Sequence, residues 1–494
     1  MECKGIVLRP GARKGTVKVP RSKSHEHRLL IANFLAGERT MLEPCEGDND
    51  DILATKRCLK ALGEEIRGPI LDCGESGSTL RFLAPVAAAL GKRPKFIRRG
   101  RLAERPFIAY APAGLAASGE VQDGARELRA GVYELEGNVS SQFVTGLLFA
   151  LPLLEGDSEI RFSSPLESRG YVEMTLEVLN GAGIKVELGS DRVGLESDRV
   201  GLGSDMVGLG SDKVGLGFFI KGGQKYSPQP HEVEGDWSGA AFWYAMNALG
   251  SEIEIDCGKE IRDKRLEIRC GSKQPDAAIA GLCEKLPTEI DVSQYPDIFP
   301  ALAVVAAGTP QTTVFTGIER LRLKECDRVE AMREMLERLG VVVAVQRARG
   351  VARRTMDCAR IAENIVPRVT HEGFDGDRFV VKGTAGKFLG CEIRTFGDHR
   401  IAMSAAVAAT RAAGEVVIDN AACCAKSYPG FFDCFSRFSS RSGCDFSSLK
   451  NRACQHPGED PPDPLNHGSH GNAGETESLR DWRERDDFRL RTRQ

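Results

Sequence analysis

Apolar residues recur along this chain in helical patterns that end in Leu and Gly, and a short run of β-branched residues follows each. The segments with this pattern are 58–66, 178–186 and 335–343, with looser versions at 113–121 and 282–290. The expected helix stops are Gly63, Gly119, Gly183, Pro287 and Gly340. A glycine just past a helix adopts the left-handed conformation that ends it, and β-branched residues favour the strand that follows. The repetition predicts an α/β protein built from βαβαββ units, three on each side of about residue 234.

Three segments interrupt this pattern. Residues 188–215 are four tandem heptads, LGSDRVG, LESDRVG, LGSDMVG and LGSDKVG. Each copy contains Gly, and its Leu and Val do not form the a/d seam of a coiled coil, so we expect an inert surface turn. Residues 347–374 begin with a basic run and are expected to form a surface loop. Residues 439–494 are polar with few large apolar side chains, which predicts a disordered tail.

Composition narrows the classes of function. A chain of 494 residues is too long for one core, so two domains are expected. The net charge of −3 shows no bias towards nucleic acid or membrane surfaces, and no apolar run reaches the length of about 18 residues that predicts a membrane span. The 15 cysteines include no C-x-x-C motif, which favours a reduced, cytoplasmic chain without a zinc site. An anionic ligand would therefore need a local group of cations.

Small hydroxyl residues and cations collect where predicted strands run into helices. In residues 19–28, VPRSKSHEHR, Lys23 lies between two serines and Arg28 follows five residues later. A helix start has unpaired N–H groups and a partial positive charge, so it attracts anions. The phosphate-loop pattern fails, however, because Ser22 occupies the place of the second glycine. Taken alone, the stretch is better explained by a solvated surface lysine.

Similar polar turns and helix starts recur, and together they favour an anion site. They lie in residues 74–91, 102–112, 137–154, 166–171, 233–246, 321–340, 396–409 and 425–432. Their cations, with those of the first start, are Lys23, Arg28, Arg105, Arg328, Arg400 and Lys426. If the repeats bring these ends to one cleft, two or more anionic groups can bind there without a metal. Gly77 lets a backbone N–H approach a ligand closely, and we expect Ser78 to cap the helix that follows.

Eight motifs in a fixed order make the chain similar to the 5-enolpyruvylshikimate-3-phosphate synthase family. They are SKSxxxR (22–28), GxSGSTLR (74–81), ERP (104–106), GNVSSQF (137–143), EGDWS (234–238), LRLKExDR (321–328), GDHRIAM (397–403) and AKSYPxFF (425–432). The resemblance extends from about residue 5 to residue 438 and leaves 188–215 and 347–374 as insertions. It implies a two-domain inside-out α/β barrel of six βαβαββ repeats. The implied domains are residues 21–234, residues 1–20 with 235–438, and the tail 439–494.

The resemblance implies transfer of the enolpyruvyl group of phosphoenolpyruvate to the 5-hydroxyl of shikimate 3-phosphate, with release of phosphate, in aromatic amino acid biosynthesis. No cofactor is implied, and a monomer is expected. By resemblance, shikimate 3-phosphate would be held by Lys23, Ser24, Arg28, Ser140, Ser141, Gln142, Ser168, Tyr171, Asp297 and Lys324. Phosphoenolpyruvate would be held by Lys23, Gly77, Arg105, Gln142, Arg328, Arg400 and Lys426. Glu325 is the expected proton donor and Asp297 the expected base, assisted by Lys23 and Lys426, with His399 as a further acid–base candidate.

Two rival interpretations stay open at this point. The UDP-N-acetylglucosamine enolpyruvyl transferases share the fold, but they carry Asn after the motif lysine, where this chain has Ser24, and usually a loop Cys that is absent around Arg105. A catalytically silent binding protein of the same fold is the second, although the charged residues that the chemistry needs are all present. The departures from the common family pattern include Arg21, Glu75 and Cys326, and none removes a required charge.

Overall fold

The computed structural model describes residues 5–66, 68–104, 128–138, 140–189, 217–258, 272–347 and 376–438. Five subjects of the predictions lie outside these ranges: the heptads after residue 189, the loop after residue 347, the tail 439–494, Arg105 and the helix stop at Gly119. What was expected of them stays a prediction.

Helices and strands alternate along most of the described chain. The α-helices are α1 Lys23–Leu35, α2 Asp50–Gly63, α3 Gly77–Ala89, α4 Arg101–Glu104, α5 Ser141–Ala150, α6 Arg169–Gly181, α7 Trp237–Ala248, α8 Ile279–Glu284, α9 Phe299–Ala307, α10 Arg328–Arg338, α11 His399–Ala409 and α12 Phe431–Arg437. The 3-10 helices are Thr40–Leu42, Leu151–Leu153, Pro275–Ala278, Glu319–Leu323 and Ala422–Lys426. The strands are β1 Ile6–Leu8, β2 Lys14–Lys18, β3 Ile70–Gly74, β4 Lys95–Arg98, β5 Val132–Leu135, β6 Ser158–Phe162, β7 Val186–Gly189, β8 Gly217–Ile220, β9 Glu252–Asp256, β10 Glu289–Asp291, β11 Thr312–Thr316, β12 Val342–Gln346, β13 Arg378–Lys382, β14 Glu392–Ile393 and β15 Val416–Ile418.

Two four-stranded sheets share one arrangement. In the order β5-β6-β8-β7 the first pair is parallel and the other two pairs are antiparallel, and the order β10-β11-β13-β12 repeats this. In both sheets a helix connects the parallel strands, another leads to the third strand, and the last two strands follow each other. These are two copies of a βαβαββ unit. The smaller sheets are β1-β15-β14, β2-β9 and β3-β4.

Buried apolar side chains form two hydrophobic cores. The first core draws on residues between Leu29 and Tyr226, and helices α3 and α5 supply much of it. The second core runs from Trp237 to Phe435 and includes Leu8, Val17 and Val19 from the start of the chain. Strand β2 reaches the second core by pairing with β9 in parallel. We call the residues around these clusters the first and second core regions.

Helices end at or just before all three described glycines that were predicted as stops, but only two of these glycines adopt the left-handed conformation. Gly183 and Gly340 have φ of 80° and 84°, and strands β7 and β12 begin two to three residues later. Gly63 instead ends α2 within the helix, and Glu64 caps it in an extended conformation. No strand begins directly after Gly63, and the next strand, β3, starts at Ile70.

Serine hydroxyls cap the helix starts that the motifs predicted in the first core region. Ser22 accepts a hydrogen bond from the backbone N–H of His25, and Ser140 accepts one from Gln142. In α3 the capping residue is Ser76, which accepts from the N–H of Thr79. The prediction that Ser78 caps this helix is therefore wrong, since the helix begins one residue earlier, at Gly77.

Candidate active site

Lys23 occupies the first position of α1, and its charge is neutralised by Asp51. The Nζ–Oδ2 distance is 2.9 Å, and both side chains are largely buried. Burial disfavours the charged amine, but the attraction of Asp51 and Glu325 outweighs it and raises the pKa of Lys23. Lys23 is therefore a permanently charged group at a helix start, held by a carboxylate on the next helix.

Arg328 is the centre of the charged cluster in the second core region. Its Nη1 lies 2.8 Å from Asp297 Oδ1, and its Nη2 lies 2.6 Å from Glu325 Oε2. Its Nε lies 2.8 Å from Asp398 Oδ2. The guanidinium is almost fully buried, yet these three carboxylates raise its pKa well above the usual range. One cation thus holds both carboxylates that the sequence assigns to proton transfer.

Asp297 is surrounded by cations. Its Oδ1 lies 3.2 Å from Lys324 Nζ, and its Oδ2 lies 3.8 Å from Arg400 Nη2. Burial alone would raise the pKa of this carboxyl, but Lys324, Arg400 and Arg328 lower it well below its usual range. Asp297 is thus ionised and can act as a base.

Glu325 is ionised in the same way. Burial would raise its pKa, but Arg328, followed by Lys426, lowers it well below the usual range. Its carboxylate keeps about a quarter of its surface exposed. A proton donor must first be protonated, so Glu325 needs a change in its surroundings before it can act as an acid.

His399 and Arg400 open helix α11 behind these carboxylates. Asp398 caps the helix by accepting the N–H of Arg400, whose Nη1 donates to the carbonyl of Ser238 at 2.6 Å. Burial and the adjacent Arg400 hold the pKa of His399 well below its usual value, so the imidazole is neutral. Neither of its ring nitrogens has a hydrogen-bond partner among the described residues.

Helices α3 and α5 place Gly77 and Gln142 side by side. Gln142 Nε2 donates to Ser78 Oγ at 3.0 Å, and Arg81 Nη1 donates to Gln142 Oε1 at 2.7 Å. A Cβ at Gly77 would meet Arg81 Nη1 at 2.5 Å before any other heavy atom. Ser140 and Ser141 cap and open the same helix α5. Arg81 is therefore part of this group, although the sequence analysis did not select it.

Arg28 is buried against neutral acceptors. Nε donates to Thr175 Oγ1 at 2.8 Å, Nη1 to the carbonyl of Ser24 at 2.5 Å and Nη2 to the carbonyl of Tyr171 at 2.9 Å. Within the described part of the chain no carboxylate pairs with it. Burial lowers the pKa of this guanidinium to about 10, which still leaves it charged at neutral pH.

Ser168 and Tyr171 begin helix α6 and contact residues of the second core region. Ser168 Oγ donates to the carbonyl of Ser293 at 3.3 Å, and Tyr171 Oη donates to Asp276 Oδ2 at 2.8 Å. Asp276 also accepts a hydrogen bond from Ser238 Oγ. Burial raises the pKa of Asp276 and, to a greater degree, that of Tyr171.

Three of the departures from the family pattern, Glu75, Arg21 and Cys326, contact nearby charged groups. Lys426 Nζ donates to the carbonyl of Glu75 at 3.0 Å and lies 3.8 Å from its carboxylate. Arg21 pairs with Asp48 at 2.6 Å and Glu26 at 3.1 Å, on the side of α1 that also carries Lys23. Cys326 donates its thiol to Asp398 Oδ2 at 3.4 Å, and burial raises its pKa beyond the range of a reactive thiol.

The sequence analysis missed several acidic residues that hold the cations. Asp51 holds Lys23, Asp398 holds Arg328, and Asp236 caps α7 without a hydrogen bond from its side chain. Burial raises the pKa of Asp236 to about 6, against the attraction of Arg400 and Lys23. All three occur at polar helix starts. The pattern that predicted the cations of the site could therefore have predicted these acidic residues as well.

The described residues contain no group of three or more His, Cys, Asp and Glu side chains that could hold a metal ion. No helix in the described ranges is both long and apolar enough to cross a membrane.

Comparisons with known proteins agree with this geometry. The sequence profile described as EPSP synthase (3-phosphoshikimate 1-carboxyvinyltransferase) matches residues 8–197 and 208–435. A 3-phosphoshikimate 1-carboxyvinyltransferase of Clostridium perfringens is 33% identical over 470 residues, which cover 87% of this chain and 97% of the relative. The chain belongs to the EPSP synthase family. A protein of the same name from Clostridioides difficile is 30% identical over 497 residues, with 88% and 98% covered.

Solved structures agree with the fold of an EPSP synthase. An EPSP synthase from Acinetobacter baumannii superposes with a TM-score of 0.54 at 20% identity and covers 87% of this chain and 97% of its own. The predicted family is thus confirmed, and so is a mixed α/β fold similar to that of EPSP synthase. The matched profile spans both core regions and so includes every described site residue named above.

Proposed function

We propose that this chain transfers the enolpyruvyl group of phosphoenolpyruvate to the 5-hydroxyl of shikimate 3-phosphate and releases phosphate. The observation that carries the proposal is the contact of Arg328 with both Asp297 and Glu325, at 2.8 and 2.6 Å. The reaction needs one group to accept the hydroxyl proton and one to protonate the methylene carbon. It also needs cations for two phosphates and two carboxylates, and the cations around this contact are Lys23, Lys324, Arg400 and Lys426.

The two substrates divide the site between them. Phosphoenolpyruvate takes the cations Lys23, Arg328, Arg400 and Lys426, together with Gly77, Gln142 and Arg105. Planar guanidinium groups match its carboxylate and phosphate in paired hydrogen bonds. Shikimate 3-phosphate takes Ser24, Arg28, Ser140, Ser141, Gln142, Ser168, Tyr171, Asp297, Lys324 and Lys23. The serines at the starts of α5 and α6 suit its phosphate.

Binding of phosphoenolpyruvate prepares Glu325 to act as the acid. The pKa of Glu325 is low because Arg328, Lys426 and Lys23 face it. When an anionic substrate pairs with these cations, their effect on Glu325 weakens and a new negative charge is added, so its pKa rises. Glu325 can then take up a proton and pass it to the methylene carbon.

Asp297 and Glu325 complete the exchange of bonds. Asp297 accepts the proton of the 5-hydroxyl while the oxygen of that hydroxyl forms a bond to the second carbon of phosphoenolpyruvate. The bond from that carbon to the phosphate oxygen then breaks and phosphate leaves, while the methyl group returns a proton to the Glu325 carboxylate and the double bond is restored. Lys23 and Lys426 stabilise the leaving phosphate. His399, as a neutral imidazole, is a further group that can take part in proton transfer.

The finer features of the fold are also proposed. Two domains, residues 21–234 and residues 1–20 with 235–438, are supported by the two cores, since Leu8, Val17 and Val19 pack in the second. An inside-out barrel of six repeats is supported by the two copies of the βαβαββ unit. A monomer in the cytoplasm is the simplest form, and the free cysteines among the described residues suit a reducing compartment.

A phosphate-release assay tests the proposal. Purified chain with shikimate 3-phosphate and phosphoenolpyruvate should release phosphate, and Glu325→Gln should release almost none. Glu334→Gln, at a partly exposed position on the helix α10 that follows Glu325, is the control and should remain active. Release with UDP-N-acetylglucosamine in place of shikimate 3-phosphate would support the rival transferase. A folded chain that releases phosphate with neither acceptor would support a silent binding protein.

A further inference from the structure

Arg320 connects the two core regions beside the start of α6. It lies in the 3-10 helix Glu319–Leu323 and keeps only 12% of its side chain exposed. Its Nη2 donates to Ser168 Oγ at 2.9 Å and to the carbonyl of Ser293 at 2.6 Å. Its Nε lies 2.5 Å from Glu167 Oε2. A buried guanidinium therefore rests directly on the Ser168 hydroxyl.

Ser168 is held in an unusual conformation. Its φ of 53° places a non-glycine residue in the left-handed region, which is retained only when the surroundings impose it. Both its backbone N–H and its hydroxyl donate to the carbonyl of Ser293. The hydroxyl does not cap α6, so it is not occupied by the helix that it precedes. Such strain occurs preferentially at ligand sites.

The charge on Arg320 acts on the substrate-binding residues. Asp297 and Tyr171 both interact electrostatically with it, and Lys324 is repelled by it. Glu167 is the carboxylate that pairs with it directly. Its Nη1 has no hydrogen-bond partner among the described residues, while Nη2 is occupied. The neighbouring cations Arg320 and Lys324, with Nη1 of Arg320 as a donor, are suited to an anion that has several acceptor oxygens.

We propose that Arg320 is a specificity-determining residue that binds the phosphate of shikimate 3-phosphate through Nη1, beside Ser168 Oγ. Glu167 holds the guanidinium through Nε and so directs its other edge to the ligand. This inference rests on the proposed function, because it names the group that recognises the phosphate of that acceptor. Unphosphorylated shikimate has nothing to offer this guanidinium, so Arg320 separates the two compounds.

Equilibrium binding without phosphoenolpyruvate tests the inference apart from catalysis. Calorimetry with Arg320→Gln should show about 10- to 100-fold weaker binding of shikimate 3-phosphate, the effect of one lost charge-assisted contact. Binding of shikimate, used as the probe without phosphate, should change by less than about twofold. Arg320→Lys should recover part of the loss because it keeps the charge without the fork. Equal weakening for both probes, or no weakening, would overturn the inference.

Two further variants separate ligand binding from a structural role. Arg322→Gln is the matched control, since Arg322 lies on the same 3-10 helix but pairs with Asp327 and Asp377. It should bind both probes like the wild type. Glu167→Gln should bind shikimate 3-phosphate at least as well as the wild type, because its amide oxygen can still accept a hydrogen bond from Nε while a negative charge beside Arg320 is removed. If Glu167→Gln weakened binding as much as Arg320→Gln, the ion pair of Arg320 and Glu167 would have only a structural role in connecting the core regions.

The same titrations distinguish this inference from the proposed function. A wild-type chain that binds no shikimate 3-phosphate overturns both. A wild-type chain that binds it and releases phosphate, while Arg320→Gln binds it equally well, overturns the role of Arg320 alone. Thermal unfolding of each variant confirms that a loss of binding is not a loss of fold.

Discussion

The helix starts of the two core regions differ in the residues that cap them. In the first region α1, α3 and α5 are capped by Ser22, Ser76 and Ser140, each of which accepts a backbone N–H. In the second region α7, α10 and α11 are preceded by Asp236, Asp327 and Asp398. Hydroxyl caps add no charge, whereas a carboxylate cap neutralises part of the positive end of the helix.

The buried arginines differ in the same way. Arg28 of the first region donates only to hydroxyl and carbonyl oxygens among the described residues. Arg328 of the second region contacts three carboxylates. An anion can approach Arg28 without displacing a protein carboxylate. In the second region it must share each cation with an ionised acid, and that competition changes the pKa of the acid.

We propose that this difference gives the two regions separate tasks. The first is arranged to hold phosphate groups, because its serines and helix ends offer donors to an anion. The second is arranged to move protons, because Asp297 and Glu325 are coupled to cations that the substrate also needs. The variants below alter one region at a time.

Glu325→Gln should have the largest effect on turnover. It removes the proton donor but keeps the size of the side chain, so kcat should fall by about 10²- to 10⁴-fold, the usual contribution of general acid catalysis. Binding of shikimate 3-phosphate should change little. Steady-state kinetics and calorimetry check both expectations. A kcat within a few-fold of wild type would remove Glu325 from the chemistry.

Lys23→Met should lower turnover by about 10²- to 10³-fold, the range found when one donor to a developing anion is removed. The fold should survive with reduced stability, because Lys23 is a single residue at a helix start but its loss leaves the buried Asp51 without its partner. Lys60→Met is the control, since Lys60 lies on α2 and pairs at the exposed surface with Glu43. Equal turnover in the two variants would show that Lys23 does not contact the substrates.

Most of this site could be predicted because it follows a local rule. Lys23, Arg328 and Arg400 stand at or next to helix starts, and a helix start can be recognised from its neighbours in sequence. Arg320 and Asp276 could not be found in this way. They lie in 3-10 helices without an apolar repeat, and their partners Ser168 and Tyr171 are 152 and 105 residues away.

The fold shows the same limit. Strands β7 and β12 follow Gly183 and Gly340 as the pattern predicts, since a positive φ is decided by the glycine itself. At Gly63 the helix ends as predicted, but the glycine has no positive φ and no strand follows it directly. Residues 190–215 of the heptads and the tail lie outside the described residues, so their assignment remains a prediction.

Asp236→Asn should stabilise the chain while it impairs the site. The pKa of this buried carboxyl is 3.8 in the unfolded chain and is raised to about 6 in the folded chain. Its favourable contribution to the free energy of unfolding is therefore complete below pH 3.8 and is lost as the pH rises through 6. Removing the charge should therefore raise the free energy of unfolding by up to about 3 kcal/mol at pH 8. Near pH 4 the gain should vanish. Chemical denaturation at the two pH values measures this, and an equal effect at both would contradict the burial of the charge.

Gly77→Ala should have the smallest effect. Its methyl group would meet Arg81 Nη1 at 2.5 Å, the end of a flexible side chain, so Arg81 must move away from Gln142. We expect the KM for phosphoenolpyruvate to rise about fivefold, the effect of about 1 kcal/mol. Gly281→Ala in α8 is the control, because its new Cβ would meet no atom within 4 Å. A rise in the KM for shikimate 3-phosphate alone would show that Gly77 lies beside shikimate 3-phosphate and not beside phosphoenolpyruvate.

Proton uptake on anion binding tests the division of tasks most directly. Inorganic phosphate, added at pH 6 to the complex with shikimate 3-phosphate, should pair with the cations around Glu325 without reacting. Calorimetry in two buffers of different ionisation enthalpy gives the protons taken up, and the value for Glu325→Gln is subtracted to remove the titration of phosphate itself. We predict greater uptake by the wild type, because the bound anion raises the pKa of Glu325. Equal uptake by wild type and variant would contradict the coupling of Glu325 to the substrate's cations.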